Sequence, residues 1–517
     1  MSQAPGKGRR TPIQSGYTTE LKLTDLTKEV EAIAAAGRLD ADARDVTHDS
    51  RACEPGSVFV AIRGAKFDAH HHIAQAVERG AVCVMSEREP QPGWAPAWIQ
   101  VRDARAALAR ASAAVHGHPS RHLKLVGITG TNGKTTTGHL IDSIIRVSEG
   151  NSAMLGTISH RIAGDELDAR HTTPEASDIQ RMLARAVSAG CRSAVMEVSS
   201  HAIELHRADA LNFTVAVFTN LTRDHLDYHS TMESYFEAKE KLFNGGIGSE
   251  PLFSVINADD EYGVKLLATA KGRKITYGLV NGADVRTDEF NLSAEGLVFI
   301  ARTPSGKIEL NSSLVGRPHV YNILAAVAAG LTLGFELNEI ARGVSECRTV
   351  AGRFEQVRLE NSHQPPFTVI VDYAHTDDAL RNVLHTAREV AGREGRVIAV
   401  FGCGGDRDRT KRAPMGEIAA TLSDVAIVTS DNPRSEDPAA IIADIEVGLN
   451  RPGRPYLRLP DRREAIFRAI AEAREGDVVL IAGKGHETYQ VLRDQTIHFD
   501  DHEVAREAMI KRRGSHA

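Results

Sequence analysis

Short apolar runs alternate with helical stretches along most of the chain. The runs LVGIT, SAVMEV and FTVAVFTN have the length and the β-branched content of buried strands. Between the first two, GHLIDSIIRV places Leu140, Ile141, Ile144 and Ile145 on one face of a helix. Repeated alternation of strand and helix predicts an α/β fold with mostly parallel sheets and helices on both faces.

Polar linkers near residues 120 and 350 divide the pattern into three predicted domains. Residues 21–120 form a small α/β unit, in which GSVFVAIRG predicts a strand and HIAQAVERG a helix that stops at Gly80. Residues 121–350 carry the central alternation. In residues 351–517, the strands FTVIVDYAH, VIAVFGCGG, VAIVTSDNP and DVVLIAGKG each run into a polar or glycine-rich loop. Ligands bind at such strand ends in open α/β sheets, so these four loops are candidate binding loops.

Composition limits the class of protein. The 517 residues are 42% hydrophobic, enough for several cores, and the net charge of −6 gives no electrostatic case for a nucleic-acid partner. Five scattered cysteines without CxxC spacing indicate a reduced, cytoplasmic protein without structural zinc. No apolar run approaches the roughly 20 residues that span a membrane. The start of the chain lacks an apolar signal segment, and we expect residues 1–20 to be a disordered tail.

The strongest local signal is VGITGTNGKTTTGHL, which reads as a strand, a glycine-rich turn and a helix. Gly130 and Gly133 let backbone N–H groups curl inward, Lys134 reaches outer phosphates, and the hydroxyl of Thr135 is a ligand type for Mg²⁺. The strict phosphate-loop pattern is not met, because Ile128 stands where its first glycine belongs. The flanking strand and helix still predict a nucleotide-phosphate site.

Acidic and histidine side chains follow two further strands. Glu197 ends the strand SAVM, where a carboxylate near a phosphate loop is a natural Mg²⁺ ligand or, alternatively, a helix cap. NLTRDHLDYH places Asp224 and His225 after another strand, with a metal role and a structural role both open. The amphipathic helix SYFEAKEKLF carries Lys239 and Lys241, which composition alone assigns to the surface.

The segment SDNPRSED follows the apolar run VAIVT. Asp431, Asn432 and Pro433 suffice for a turn. Arg434 is then either a solvated loop residue or part of a site for a carboxylate.

Many separate motifs together resemble the Mur ligases of peptidoglycan synthesis. They occur in order between about residues 45 and 490: GTNGKTTT, HTTPEASDIQ, MEVSSHAIELHR, NLTRDHLDYH, YFEAK, GRPHVYNILAA, AGRFE, VDYAHT, FGCGGDRDRTKR, DNPRSE and AGKGHE. The resemblance implies a uridine-nucleotide-binding domain, a central P-loop-type ATPase domain and a C-terminal Rossmann-like domain that receives an amino acid.

The resemblance also implies a reaction. ATP and Mg²⁺ support amide formation through an acyl phosphate, which adds meso-diaminopimelate to the D-glutamate of UDP-N-acetylmuramoyl-L-alanyl-D-glutamate. A cytoplasmic monomer is expected. Diaminopimelate differs from lysine by one far carboxylate, which the guanidinium of Arg434 matches with paired hydrogen bonds, while Glu487 pairs with the far ammonium.

The resemblance assigns site residues by position. Lys134, Glu197, His225 and Lys239 are the implied catalytic residues. The Mg²⁺ ligands are Thr135 and Glu197 for one ion, and His225 and a carbamylated Lys239 for the second. ATP is held by Gly130, Thr131, Asn132, Gly133, Lys134, Thr135, Thr136, Asn322, Arg353 and Asp372. The UDP-linked substrate is held by Ser50, His171, Thr172, Thr173, Ser199 and Arg207. The amino acid is held by Arg407, Asp431, Asn432, Pro433, Arg434, Gly483 and Glu487.

Some features depart from the family pattern or leave alternatives. Leu205 stands where some relatives carry glutamine, and Asp377 replaces a common proline. His375 is a candidate base for the incoming amine, and closure of the third domain onto the second is expected. Three alternatives remain: the same reaction with L-lysine, a folylpolyglutamate-synthase-like ligase, and a P-loop binding protein without ligase activity.

Overall fold

The structure, a computed structural model, describes residues 21–64, 67–90, 96–279, 282–293, 295–359 and 364–514. The tail predicted for residues 1–20 lies outside these ranges. Within them the chain forms an α/β fold with three main sheets, each mostly parallel, as the alternation of apolar runs predicted.

The N-terminal sheet has the strand order β2-β7-β6-β5-β4, in which β4 to β7 are parallel and β2 is antiparallel. Strands β1 and β3 pair separately. The elements are β1 Leu21–Lys22, α1 Leu23–Glu29, β2 Ala34–Ala36, β3 Asp42–Ala43, β4 Asp45–Thr47, β5 Ser57–Val60, α2 Ile73–Glu78, β6 Cys83–Ser86, β7 Ala97–Gln100 and α3 Ala104–Val115. Short 3₁₀ turns lie at Ser50–Ala52, Ala69–His72 and Pro119–His122.

The central sheet has the order β11-β10-β9-β12-β8-β13-β14-β15-β16-β18-β17, with β19 paired to β18. Strands β9, β12, β8, β13, β14, β15 and β16 are parallel. The first half comprises β8 Lys124–Thr129, α4 Lys134–Glu149, β9 Ala153–Leu155, β10 Ser159–Ile162, β11 Asp165–Asp168, α5 Ala176–Ser188, β12 Ser193–Glu197, α6 Ser200–Glu204, β13 Val215–Phe218, α7 Leu226–His229 and α8 Met232–Asn244. The second half comprises β14 Phe253–Asn257, α9 Glu261–Thr269, β15 Arg273–Gly278, β16 Val285–Arg286, β17 Phe290–Ser293, β18 Gly296–Thr303, β19 Gly306–Ser312, α10 Arg317–Leu333 and α11 Leu337–Glu346.

The C-terminal sheet has the order β20-β21-β25-β22-β23-β24, parallel except for β20. Strands β26 and β27 form a hairpin beside it. The elements are β20 Glu355–Gln356, β21 Thr368–Asp372, α12 Asp377–Ala391, β22 Val397–Phe401, α13 Arg412–Leu422, β23 Val425–Val428, α14 Pro438–Leu449, β24 Tyr456–Arg458, α15 Arg462–Glu472, β25 Val478–Ala482, β26 Tyr489–Val491, β27 Thr496–His498 and α16 Asp501–Gly514.

Alternation along each buried strand supplies a core on both faces of the sheet. In β8, Val126 and Ile128 join the cluster that contains α4 and α10, while Leu125 joins the cluster on the other face. The predicted helical face of α4 is confirmed, since Leu140, Ile141, Ile144 and Ile145 are buried in the first cluster. The continuous apolar runs thus describe strands covered by helices on both sides.

The order of the strands determines where binding loops meet. Strands β12, β8 and β13 are neighbours and parallel, so the loops after Glu197, Thr129 and Phe218 leave the same edge of the central sheet. Strands β21, β25, β22 and β23 are likewise neighbours, which brings together the four loops predicted from the C-terminal pattern. Both edges are carboxyl ends of parallel strands, where ligands bind in such folds.

Candidate active site

The phosphate loop joins β8 to α4, where the chain turns sharply into a helix. Gly130 has φ +145° and Gly133 has φ +86°, values that favour glycine. A Cβ atom would lie 1.9 Å from Thr219 Oγ1 at Gly130, and 2.4 Å from Asn322 Oδ1 at Gly133. Both positions therefore require glycine. Ile128 is fully buried within β8, so the missing first glycine of the strict pattern falls in the strand and not in the turn.

Lys134 begins α4 and folds back over this loop. Its Nζ donates hydrogen bonds to the carbonyl oxygens of Gly130 (2.9 Å) and Thr131 (2.8 Å). Burial lowers the pKa of Lys134, and the carboxylates of Glu197 and Asp224 oppose that shift. A lysine at a helix N-terminus beside backbone N–H groups can bind phosphate oxygens.

The tip of the loop is held by Asn220, a residue that sequence reasoning did not single out. The Thr131 N–H donates to the carbonyl oxygen of Asn220 (2.8 Å), and the Asn132 N–H donates to Asn220 Oδ1 (2.9 Å). Thr136, another predicted ATP-binding residue, follows this loop and is buried in the first turn of α4. The loop after β13 thus shapes the phosphate loop from the neighbouring strand.

Glu197 at the end of β12 meets the start of α4, as the parallel pairing of β12 with β8 requires. Its Oε2 accepts hydrogen bonds from Thr135 Oγ1 (3.0 Å) and Thr157 Oγ1 (2.9 Å), and its Oε1 accepts from the Thr157 N–H (2.8 Å). Only 1% of Glu197 is exposed. Thr157 was missed, because a threonine in a turn carries no distinctive sequence signal.

These donors fit a hard cation. A buried carboxylate beside a threonine hydroxyl is the ligand chemistry of Mg²⁺, which keeps several waters and takes few protein ligands. Across the described residues, no group of three or more His, Cys, Asp and Glu side chains is arranged to hold a metal ion. Thr135 and Glu197 therefore fit the first expected Mg²⁺ site through a hydroxyl and a single carboxylate.

Lys239 is not the surface lysine that composition indicates; that interpretation is wrong. Its side chain packs from α8 beneath the phosphate loop, 2% exposed, with Nζ 2.9 Å from the carbonyl oxygen of Gly130 and 4.6 Å from the ring of Tyr235. Burial, reinforced by the charge of Lys134, lowers the pKa of Lys239 well below its usual range. Lys241, two residues on, is partly exposed and pairs with Glu204 (2.7 Å), as a surface lysine does.

His225 lies at the start of α7 in a left-handed conformation, with φ +54°. Its Nε2 is 3.4 Å from Asp224 Oδ2, and its ring packs edge-on against His201 and Tyr235, with centroids 4.7 and 6.1 Å away. Tyr235 contacts both His225 and Lys239, so the structure places these two predicted metal ligands around one aromatic ring.

The predicted nucleotide residues approach the phosphate loop from α10 and the C-terminal sheet. Asn322 Oδ1 accepts from Thr137 Oγ1 (3.4 Å), and Arg353 Nη2 donates to Thr135 Oγ1 (3.2 Å). Asp372 accepts the backbone N–H groups of residues 354 and 374, both at 2.7 Å, and burial raises its pKa. Asn322 and Arg353 thus reach the loop directly, whereas Asp372 orders the segment that carries Arg353.

Four of the residues predicted to hold the UDP-linked substrate form one group beside Glu197. Thr173 Oγ1 donates to the Glu197 carbonyl oxygen (2.8 Å), and the Ser199 N–H donates to Thr173 Oγ1 (3.1 Å). Arg207 Nη1 donates to the Thr173 carbonyl oxygen (3.2 Å), and Thr172 Oγ1 accepts from Thr157.

His171 and Ser50 complete the set of residues predicted to hold this substrate. His171, immediately before Thr172 in the chain, is exposed. Ser50 lies in the 3₁₀ turn after β4, at the N-terminal sheet, where its hydroxyl donates to Gln75 Oε1 (2.8 Å).

The predicted amino-acid site forms at the ends of β22, β23 and β25. Asn432 Nδ2 donates to Glu487 Oε2 (2.7 Å), and Arg434 Nη1 donates to the carbonyl oxygens of Gly405 (2.8 Å) and Asn432 (3.4 Å). Arg434 has φ +54° and is partly exposed, so the turn directs its guanidinium back over the loop after β22. Burial raises the pKa of Glu487.

The remaining predicted acceptor residues frame this cluster. A Cβ atom on Gly483, which has φ +119°, would lie 2.5 Å from Asp431 Oδ2, so glycine is required there. Pro433 is buried, while Arg407 is exposed and donates to the carbonyl oxygen of Asp406 (3.2 Å). Lys484 was missed, although it stands between Gly483 and Glu487 and is fully buried.

His375, the candidate base, follows β21. Its Nδ1 lies 2.9 Å from the carbonyl oxygen of Tyr373, and burial lowers its pKa to about 4. The imidazole is therefore neutral at neutral pH and a weak base.

Comparisons with known proteins show the family of this chain. Residues 43–116 match the family described as "Mur ligase family, catalytic domain", residues 128–330 match "Mur ligase middle domain", and residues 352–485 match "Mur ligase, glutamate ligase domain". A protein of Solibacter usitatus named UDP-N-acetylmuramoyl-L-alanyl-D-glutamate--2,6-diaminopimelate ligase is 50% identical over 464 residues, which are 90% of this chain and 93% of that protein. A protein of Geobacter metallireducens with the same name is 45% identical over 502 residues, 93% and 97% of the two chains.

A solved structure with that name superposes with a TM-score of 0.68 and 32% identity, covering 96% of this chain and 100% of its own. The fold, the site and these relatives define an ATP-dependent amide-forming ligase. The chain belongs to the Mur ligase family. Among the helices of the described residues, none combines the length and apolar character that crossing a membrane requires.

Proposed function

We propose that this ligase joins meso-diaminopimelate to the D-glutamate side chain of UDP-N-acetylmuramoyl-L-alanyl-D-glutamate, at the expense of ATP. The observation that carries the proposal is the cluster of Asn432, Arg434 and Glu487 at the ends of β23 and β25, the two strands that flank β22. It offers a cation and an anion to one ligand. The names of relatives up to 50% identical specify 2,6-diaminopimelate, which supports this acceptor over L-lysine.

The charges of the cluster match the far end of diaminopimelate. Arg434 binds the far carboxylate, which lysine lacks, and Glu487 binds the far ammonium. Arginine is preferred to lysine at such a position because its planar guanidinium forms two parallel hydrogen bonds with a carboxylate. A site built for both charges discriminates against an acceptor with only one, since its arginine would then lack a carboxylate to pair with.

ATP binds on the central sheet, with its phosphates on the loop 130–136. Lys134 exchanges its bonds to the loop carbonyls for bonds to phosphate oxygens, and Arg353 adds a second positive charge. Thr135 and Glu197 would hold Mg²⁺, which would supply positive charge against the phosphates when bound. Burial of Lys239 beneath the same loop supports its modification to a carbamate, which would give a second cation a carboxylate ligand beside His225.

The chemistry proceeds in two steps. An oxygen of the D-glutamate side-chain carboxylate attacks the γ-phosphorus of ATP, and the bond to the bridging oxygen breaks to release ADP. The amine of diaminopimelate then attacks the acyl carbon, and the C–O bond breaks so that phosphate leaves with its electron pair. The nitrogen loses a proton to give the amide. Orientation of amine and acyl phosphate by the two sheets lowers the barrier.

Oxygen labelling tests this route. UDP-linked dipeptide carrying ¹⁸O in the D-glutamate side-chain carboxylate is incubated with ATP and meso-diaminopimelate, and mass spectrometry follows both products. We expect a product heavier by one diaminopimelate residue and one ¹⁸O in the released phosphate. Product without label in the phosphate would refute the acyl phosphate and leave the ligase intact. Phosphate release without a new amide would refute the ligase.

This reaction belongs to peptidoglycan precursor synthesis. All five cysteines are free and buried, which supports the proposed cytoplasmic location.

A further inference from the structure

Beneath the acceptor cluster lies a buried ammonium group, that of Lys484. The side chain leaves the loop after β25 and is fully buried. Its Nζ donates to the Tyr489 carbonyl oxygen, and it lies 3.4 Å from Glu487 Oε2 and 3.5 Å from Asn432 Oδ1. Three protons on the nitrogen thus face three acceptors. The two longer contacts act mainly through charge, because hydrogen bonds at these distances are weak.

The ammonium group helps to determine how the amide of Asn432 is oriented. Asn432 Oδ1 faces two donors, the Val491 N–H (2.8 Å) and Lys484 Nζ. The amide NH₂ group therefore points the other way, where it donates to Glu487 Oε2 (2.7 Å). The reversed amide would place its NH₂ group against two donors and its oxygen against a carboxylate, which is unfavourable.

Glu487 lies in a crowded set of charges. The titratable groups that interact electrostatically with Glu487 lie on four segments. They are Lys484 and Tyr489 on its own loop and hairpin, Asp431 after β23, Arg462 on α15 and Tyr373 after β21. Burial and Asp431 favour the protonated carboxyl, whereas Lys484 is the strongest group that favours the ionised form. Arg462 is engaged by Asp501 through two hydrogen bonds of 2.8 and 2.7 Å. Lys484, whose Nζ lies 3.4 Å from Glu487 Oε2, therefore supplies the positive charge that compensates this carboxylate.

We propose that Lys484 is a positioning residue for the acceptor: it keeps Glu487 a carboxylate and fixes the amide of Asn432, so that the far ammonium of the amino acid meets a negative charge. The inference rests on the proposed function, since it takes an amino acid with a far ammonium as the ligand of Glu487. Lys484 itself is shielded from that ligand by the groups it holds.

The test compares Lys484→Met, which keeps length and removes charge, with Lys484→Arg, which keeps charge. Steady-state kinetics between pH 6 and pH 9 give KM for meso-diaminopimelate, ATP and the UDP-linked dipeptide. For Lys484→Met we expect KM for diaminopimelate to rise about tenfold at pH 7. The free energy of a hydrogen bond to a charged group corresponds to about a tenfold change in affinity. KM for ATP should stay within about twofold, and the acidic limb of kcat/KM for diaminopimelate should move to higher pH. Lys484→Arg should retain the original limb.

A double-mutant cycle separates positioning from a general structural role. If Lys484 acts through the charge of Glu487, adding Lys484→Met to Glu487→Gln should raise KM little beyond the single change. Fully additive effects, or an equal rise in all three KM values, would overturn the proposal. Should Lys484→Met fail to fold, Lys484→Arg still decides, because a shifted acidic limb in a folded, charged variant would overturn it. Unaltered protein without diaminopimelate-dependent turnover would instead refute the proposed function.

Discussion

Asn132, at the tip of the phosphate loop, donates from Nδ2 to Asp378 Oδ2 across 3.0 Å. Asp378 lies in the first turn of α12, a helix that packs against the C-terminal sheet. Arg223 and Asp377 form a second bridge of 2.7 Å between the same two regions. These two contacts join α12 of the C-terminal part of the chain to the phosphate loop and to the loop after β13.

Removing these contacts should slow turnover and leave nucleotide affinity little changed. We expect Asp377→Ala combined with Asp378→Ala to lower kcat about tenfold, because misplacement of the two reactants costs rate even when each still binds. The dissociation constant for ATP should change by less than about threefold, since neither carboxylate is a predicted phosphate ligand.

The matched control is Asp378→Asn in the presence of the native Asp377. Its amide oxygen can still accept from Asn132, so kcat should remain within about twofold. An alanine double variant with unchanged kcat would contradict a role for the two contacts in positioning.

Arg434 should determine the choice of acceptor. In Arg434→Met we expect KM for meso-diaminopimelate to rise about 100-fold, because a paired carboxylate hydrogen bond in a partly buried site is lost. KM for ATP should not change. Arg434→Lys should recover only part of the affinity, since an ammonium cannot form the two parallel bonds. Kinetics with varied acceptor measure both effects, and full recovery with lysine would count against the paired geometry.

Lys239 should be required for turnover, and its burial should lower the free energy of unfolding. Its ammonium is buried beneath the phosphate loop beside Lys134, an arrangement that disfavours the charged form. We expect Lys239→Met to abolish turnover while the free energy of unfolding rises by about 1 kcal/mol, because an apolar side chain of similar length avoids the cost of burying an amine beside Lys134. Thermal unfolding and phosphate release on the same preparation measure the two quantities. Lys241→Met, on the same helix, is the control and should leave turnover intact.

His502 should make stability depend on pH. Its Nε2 lies 2.8 Å from Glu355 Oε2 and its Nδ1 3.2 Å from Asp500 Oδ1. Burial opposes protonation, but these two hydrogen bonds outweigh it and raise the pKa of His502 to about 9 from 6.5. The protonated histidine therefore stabilises the fold fully below pH 6.5, and this contribution is lost as the pH rises through about 9.

Denaturant unfolding at several pH values measures that dependence. A shift of this size corresponds to roughly 3 kcal/mol. His502→Gln should therefore be less stable than the unaltered protein by about that amount at pH 6, and the difference should vanish towards pH 10. His498, in an exposed pair with Glu503, is the control, and His498→Gln should differ little. A difference for His502→Gln that does not change with pH would refute the assignment.

Much of the central and C-terminal folds could be predicted, because strands such as β8 and β23 are buried on both faces and appear as continuous apolar runs. The antiparallel strands β17 to β19 were not predicted. One face of β18 is solvent-exposed yet carries Val298 and Ile300 beside Arg302, so the sequence lacks the apolar–polar alternation that marks a half-buried strand. Strand β18 pairs with β16, β17 and β19, and strands of this kind depend on their neighbours more than on local sequence.

The site could be predicted where chemistry follows a strand end. Glu197 and Thr135 meet because β12 and β8 are parallel neighbours, a consequence of the βα alternation. Lys239 and Lys484 could not be found from residue type. Each is a lysine, a type that is mostly exposed. Each is buried where a distant segment brings an oxygen to its ammonium, the Gly130 carbonyl for Lys239 and the Asn432 amide for Lys484.

The most direct measurement is phosphate release from ATP with the UDP-linked dipeptide, compared for meso-diaminopimelate, L-lysine and no amine. A site with Arg434 and Glu487 at the far end of the acceptor predicts rapid release with diaminopimelate and little with lysine or without amine. Equal or faster release with lysine would contradict the pairing of Arg434 with a far carboxylate. Release that no amine increases would contradict amide formation itself.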